Sequence, residues 1–124
     1  MFEISIKASF CGAHRLAGYQ GPCANLHGHN WEVEIFLRGK TTDRLGMLVD
    51  FKQVKTTLRA ALEKLDHRNL SDLPMFKRRN PTAENIARFI FEALAPAFPA
   101  ARCRLHRVRV SENHGTAAWY CKKN

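Results

Sequence analysis

The chain has 124 residues, 45% of them apolar, which suits a single domain over residues 1–124 with its own core and excludes a disordered chain. No apolar run approaches the roughly 20 residues that a membrane-spanning helix needs. The stretch MFEISIKASF lacks the basic-then-apolar layout of a secretory leader, so a soluble cytoplasmic protein is expected. Twenty Lys and Arg against eleven Asp and Glu give a net charge of +9, a field that attracts anions such as a phosphorylated substrate or nucleic acid.

In chain order, Met1–Phe10 alternates Phe2, Ile4, Ile6, Ala8 and Phe10 with Glu3, Ser5, Lys7 and Ser9, the period of a half-buried strand. The segment AGYQGP reads as a loop, punctuated by Gly and Pro. Trp31, Val33, Ile35 and Leu37 alternate with Glu32 and Glu34 in a second strand. Asp50 can cap a helix that starts near Phe51, with an apolar stripe of Phe51, Val54, Leu58, Ala61, Leu62 and Leu65. The segment LDHRNLSDLP ends it. NPTAEN opens a second helix whose stripe is Ile86, Ile90, Ala93 and Leu94, stopped by Pro96 and Pro99. RLHRVRVSE is a third strand, and NHG turns it into a fourth, TAAWYCKK. The order ββααββ predicts an α+β fold, a four-stranded antiparallel sheet with two helices on one face. Its two open edges call for cover, which sheets joined between subunits would supply.

The cysteines are Cys11, Cys23, Cys103 and Cys121; without a leader, free thiols are expected, buried and inert at positions 11, 103 and 121. His27 and His29 share parity with Trp31 and so extend the buried face of the second strand. His14 shares the parity of Phe10. If the two strands pair without a bulge in CGAH, three imidazoles converge at one end of the sheet. Three neutral imidazoles suit a catalytic zinc with an open fourth position; a surface His14 and a plain HGH loop are the bland alternative.

Cys23 has two readings: a further metal ligand with Cys11, His27 and His29, or a reactive thiolate beside a bound cation. Eleven residues between Cys11 and Cys23 match no zinc-finger spacing. The pair Asp66–His67 is either hydrogen-bonding scaffold or a carboxylate that sets the tautomer of a proton shuttle. Glu112 is either an exposed strand-end carboxylate or an acceptor for two N–H groups of a flat heterocycle. The dense basic cluster, Lys77–Arg79, is short and lacks interleaved aromatics, so nucleic-acid binding is not expected; a basic zinc module of that kind is the rival of another class.

FCGAH with His14, CANLHGHNW with Cys23, His27 and His29, GMLVDF with Asp50, LDHRNL with Asp66 and His67, NPTAEN, and VSEN with Glu112 follow in this order. In these motifs the chain resembles the 6-pyruvoyl-tetrahydropterin synthase superfamily, most like its bacterial 6-carboxy-5,6,7,8-tetrahydropterin synthase branch of queuosine biosynthesis. The resemblance implies the tunnelling fold, in which subunits join their sheets into a barrel and form a homohexamer. It implies zinc (Zn2+) on His14, His27 and His29, Cys23 as catalytic base, Asp66 and His67 as its proton-transfer partners, and Glu112 as anchor of a pterin ring. The implied substrate is 7,8-dihydroneopterin triphosphate, converted to 6-carboxytetrahydropterin with release of acetaldehyde and triphosphate. The nearest rival activity is 6-pyruvoyl-tetrahydropterin synthesis. Asn113 stands where many members have Thr, and Cys23 argues against a branch that carries Glu there.

Overall fold

The alternation read in the first ten residues continues to His14, because positions 12 and 14 remain on the buried parity. In the computed structural model, residues 1–18, 20–21, 27–99 and 102–123 are described, with His27 as backbone only. Strand β1 spans Phe2–His14 and β2 spans His27–Gly39; helix α1 covers Phe51–Leu62. A two-residue strand β3, Arg68–Asn69, follows, then helix α2, Ala83–Leu94, and strands β4, Arg104–Asn113, and β5, Thr116–Tyr120. The sheet order is β3-β1-β2-β4-β5, open at both ends. The α+β class and the order of the main elements are as expected. The difference is β3, which pairs parallel with Gly12 and Ala13 of β1 and makes the sheet five-stranded.

β1 and β2 pair antiparallel along their whole length, from Phe2 opposite Gly39 to His14 opposite His27, so CGAH carries no bulge. One face of the sheet is covered by the helices, α1 against β1 and α2 against β4 and β5. Between them lie Ile6, Phe10, Trp31, Val33, Ile35 and Leu37 of the first two strands and Val108 and Val110 of β4, all buried. The other face carries Glu3, Lys7, Glu34, Arg38, Arg107 and Arg109. There Arg109 reaches Glu32 at 3.2 Å and lies over the Trp119 ring.

Helix starts follow the capping chemistry read from sequence. The Asp50 carboxylate accepts from the Lys52 N–H at 2.9 Å, and the Thr82 hydroxyl from the Asn85 N–H at 3.1 Å. The α1 stripe buries Val54, Leu58, Ala61 and Leu62, with Leu65 just beyond. Phe51 is a correction: at the first turn of α1, it is exposed. On α2 the buried set is Ile86, Ala87, Ile90, Phe91 and Leu94. Ala93 lies outside it, since Ala87 and Phe91 widen the stripe to the other flank. Phe2, at the sheet's far end, is also exposed. No helix among the described residues is long and apolar enough to cross a membrane.

The NPTAEN segment ties the two halves together. The Asn80 side chain accepts from Ala17 N–H at 3.1 Å and donates to Ala17 C=O at 2.9 Å, as a strand neighbour would. Asn85 donates back to the Asn80 carbonyl at 2.9 Å. Ser71 accepts from the Arg15 N–H at 3.1 Å on the other side. The chain leaving β1 is thus held from both flanks. Asn80→Ala removes two of these bonds and leaves the Ala17 groups without them. It should destabilise the protein by about 1–2 kcal/mol, read as a lower midpoint in chemical denaturation with unchanged slope.

Candidate functional site

The site grows from the β1–β2 register. His14 sits at the end of β1's buried row, 1% exposed. Its Nδ1 lies 2.7 Å from the Pro81 carbonyl, which can only accept, so Nδ1 carries the hydrogen and Nε2 keeps its lone pair. The ring stands edge-on to Trp31 at 4.9 Å and to His29 at 5.1 Å between centroids. His29 is opposite Gly12, whose missing side chain leaves room beneath Phe10 and Leu70, and Trp31 donates its Nε1–H to the Gly12 carbonyl at 3.1 Å.

Glu112 arrives from β4. The β4–β5 register shifts between Val110 and Asn113, and the Ser111 hydroxyl sits between the Asn113 and Thr116 carbonyls. That irregularity is of the kind that re-aims a side chain at the rim of a sheet. Glu112 Oε2 is 3.3 Å from His29 Nε2. Donor atoms of His14, His29 and Glu112 all lie within 4.8 Å of one another, half-buried or buried, in a pattern that could hold a metal ion. Two imidazoles with a carboxylate at hand, one imidazole already oriented through its far nitrogen by a carbonyl, are a donor set that fits zinc. The backbone of His27 stands at the register position opposite His14; its side chain, like the whole of Cys23, lies outside the described residues.

A second group occupies the opposite face at the same end. The chain leaving α1 turns at His67, which adopts a left-handed backbone with φ 57°, and then forms β3. Cys11 N–H donates to Asp66 Oδ1 at 2.9 Å, and His67 N–H donates to the Cys11 carbonyl at 2.6 Å. Asp66 Oδ1 also faces His67 Nδ1 at 3.0 Å, which sets the tautomer with the hydrogen on Nδ1 and the lone pair on Nε2. The Cys11 N–H, more than the neighbouring His67, holds the Asp66 carboxyl below its ordinary value, against a smaller opposing effect of desolvation. Asp66 and His67 are therefore together, as read from sequence, and the hydrogen bond between them is made.

Cys11 and Cys121 correct the expectation of buried thiols: both are exposed, and among the described cysteines only Cys103 is buried. Cys11 is odd-numbered on β1, so it faces away from the helices. Burial raises the Cys103 thiol, as suits an inert residue. An open cleft of about 520 Å3 at this end is lined by Cys11, His29, Asn30, His67, Arg68 and Asn69 among others. The sequence reading did not single out Asn30, Pro81 or Arg68. Pro81 acts through its carbonyl, which no side-chain pattern reveals, whereas Asn30 carried a signal, being opposite Cys11 in any in-register pairing of these strands.

A model of the family described as 6-pyruvoyl tetrahydropterin synthase matches residues 3–123. A 6-pyruvoyl tetrahydrobiopterin synthase of Dictyostelium discoideum is 33% identical, over 81% of this chain and 73% of its own. A 6-carboxy-5,6,7,8-tetrahydropterin synthase of Haemophilus influenzae is also 33% identical, over 76% and 82%. The solved 6-pyruvoyl tetrahydropterin synthase of Caenorhabditis elegans superposes with a TM-score of 0.88 at 30% identity, covering 98% of this chain and 96% of that one.

The depressed Asp66 carboxyl fixes the sign of one pH effect. Its contribution to stability is present above the ordinary carboxylate pKa of about 4 and is lost as pH falls through the lower folded-state value. Asp66→Asn should lower the melting temperature of the metal-free protein near neutrality. The gap from the wild type should close as the pH drops below about 4. A gap independent of pH would assign the loss to shape rather than charge.

Proposed function

The chain belongs to the 6-pyruvoyl tetrahydropterin synthase family, and on that premise we propose that it is a zinc-dependent 6-carboxy-5,6,7,8-tetrahydropterin synthase acting on 7,8-dihydroneopterin triphosphate in the cytoplasm. The observation that carries the reading is the cleft that His29 and His67 both line, with a metal-fit donor set on one side and an oriented Asp–His pair on the other. The carboxy branch is favoured by the bacterial relative of that name, and Cys23 in the CANLHGH motif speaks against the branch that carries Glu there.

His14, His27 and His29 would hold the zinc. When bound, zinc supplies Lewis acidity, which makes the side-chain hydroxyls and the neighbouring C–H of the substrate more acidic. Cys23, as thiolate, takes a side-chain proton. Asp66 keeps His67 in the tautomer whose Nε2 receives and returns a proton. Glu112 accepts the ring N3–H and 2-amino hydrogens in a charge-assisted pair that fixes the pterin plane. One water is consumed: triphosphate leaves, the bond between the first two side-chain carbons breaks to release acetaldehyde, and the carbon left on C6 takes the water oxygen to become a carboxylate. The ring gains the electrons that the side chain loses, so no redox cofactor enters. The excess positive charge favours a triphosphate, with Arg15 and Lys77–Arg79 as candidate phosphate contacts. Short β3 and exposed β5 leave the sheet open at both edges, which supports joining of subunits, as a hexamer, with sites completed between chains. The product belongs to the making of queuosine.

The test is product identity. Zinc-loaded protein given dihydroneopterin triphosphate should yield 6-carboxytetrahydropterin and one acetaldehyde per triphosphate. A pyruvoyl product without aldehyde would assign the chain to the pyruvoyl branch, and no turnover would refute the substrate. His14→Ala should lose the metal, while Cys23→Ala should keep it and lose turnover. Glu112→Gln should keep the metal and raise KM by about tenfold or more; loss of metal there would make Glu112 a ligand instead.

A further inference from the structure

We propose that Cys11, Asp66 and His67 form a second metal site, one that takes a borderline-soft divalent cation such as Zn2+ or Cd2+ and thereby inhibits the protein. The thiol sulfur, a ring nitrogen and a carboxylate oxygen of these residues lie within 4.8 Å of one another. The Asn30 side-chain oxygen, 2.9 Å from the Cys11 sulfur, adds a fourth donor. Metal–ligand bonds of about 2.0–2.3 Å put tetrahedral donors within about 4 Å of each other. The His67 side chain, 79% exposed, can close that distance by rotation.

The cluster is built by backbone bonds rather than by chance meeting of surface side chains. The Cys11 N–H to Asp66 and His67 N–H to Cys11 C=O bonds clamp the end of α1 to β1, and β3 continues the clamp. One thiolate, one imidazole and oxygen donors are a mixture that selects zinc or cadmium over magnesium or calcium. Parity separates this group from the His14, His29 and Glu112 cluster. Cys11 and Asn30 point to the uncovered face, His14 and His29 to the helix-covered one, and no donor is common to both groups. The two sites can therefore fill independently. Binding stands apart from the proposed activity; only inhibition rests on that reading, since a cation on His67 and Asp66 removes the proton shuttle.

Zinc uptake by the full chain, followed by equilibrium dialysis, should exceed that of Cys11→Ser by one equivalent per chain. Cys11→Ser should weaken the second site by more than about tenfold and shift inhibition to correspondingly higher zinc. Cadmium added to zinc-loaded protein should give a thiolate charge-transfer band in the wild type and in Cys23→Ser, and lose it in Cys11→Ser. In the unsubstituted protein, the second equivalent should protect Cys11 from alkylation, mapped by mass spectrometry. Equal uptake by wild type and Cys11→Ser, or Cys11 alkylated as fast with excess metal as without, overturns the site. If the protein turns over no pterin, the uptake and alkylation measurements still decide it.

Discussion

The unbroken antiparallel register of β1 on β2 is the constraint on which the rest depends. It sets Phe10 opposite Trp31, Gly12 opposite His29 and His14 opposite His27. A slip of one residue would send every side chain of a strand to the other face. Trp31, Val33, Ile35 and Leu37 are fully buried, and Phe10 and Ile6 nearly so. At about 1.5–3 kcal/mol for each large apolar side chain, the slip would forfeit roughly 10 kcal/mol, comparable to the whole stability of a small domain. The imidazoles are therefore placed by the hydrophobic core, of which they are the polar end.

The same register divides the chemistry between two environments. On the helix-covered face His14 is enclosed, its Nδ1 committed to the Pro81 carbonyl and its ring against Trp31. With Nδ1 donating to that carbonyl, Nε2 is the nitrogen with the lone pair. On the uncovered face the Asp66 carboxylate keeps its charge, supported by the Cys11 N–H, and holds an exposed His67 whose nitrogen can exchange protons with a substrate or solvent. The covered face thus holds one set of metal-fit donors, and the uncovered face the exposed Asp66–His67 pair.

Much of this was legible in the sequence, and the reasons are local. Period-two alternation gave both strands, and Asp50 and Thr82 marked helix starts through their own side-chain oxygens. Parity also placed His14 and His29 on one face. What the sequence hid depends on backbone partners. β3 has two residues and no periodicity to read, and the role of Pro81 lies in a carbonyl. The left-handed His67 carries no glycine signal. Cys11 is different: its odd parity already pointed it away from the core, and the general habit of thiols to be buried obscured that local evidence. Phe51 and Ala93 mislead because helical spacing alone does not show how far to either flank the packed stripe extends.

Charge placement links the open sheet to the site. The uncovered face carries carboxylates that are largely matched: Glu3 lies beside Arg38 and Arg107, and Glu32 beside Arg109. Arg107 further stacks over Phe36 at 4.2 Å, its guanidinium held flat along the strand. Arg68, in contrast, has no carboxylate partner among the described residues and lines the cleft with His29 and His67. Matched pairs contribute little field at a distance, so cations of this unmatched kind carry more of the chain's excess positive charge outward. Arg68 follows His67 directly in the strand that clamps α1 to β1. The left-handed turn at His67 therefore also sets a fixed positive charge beside its ring, at the end of the sheet where the metal-fit residues converge.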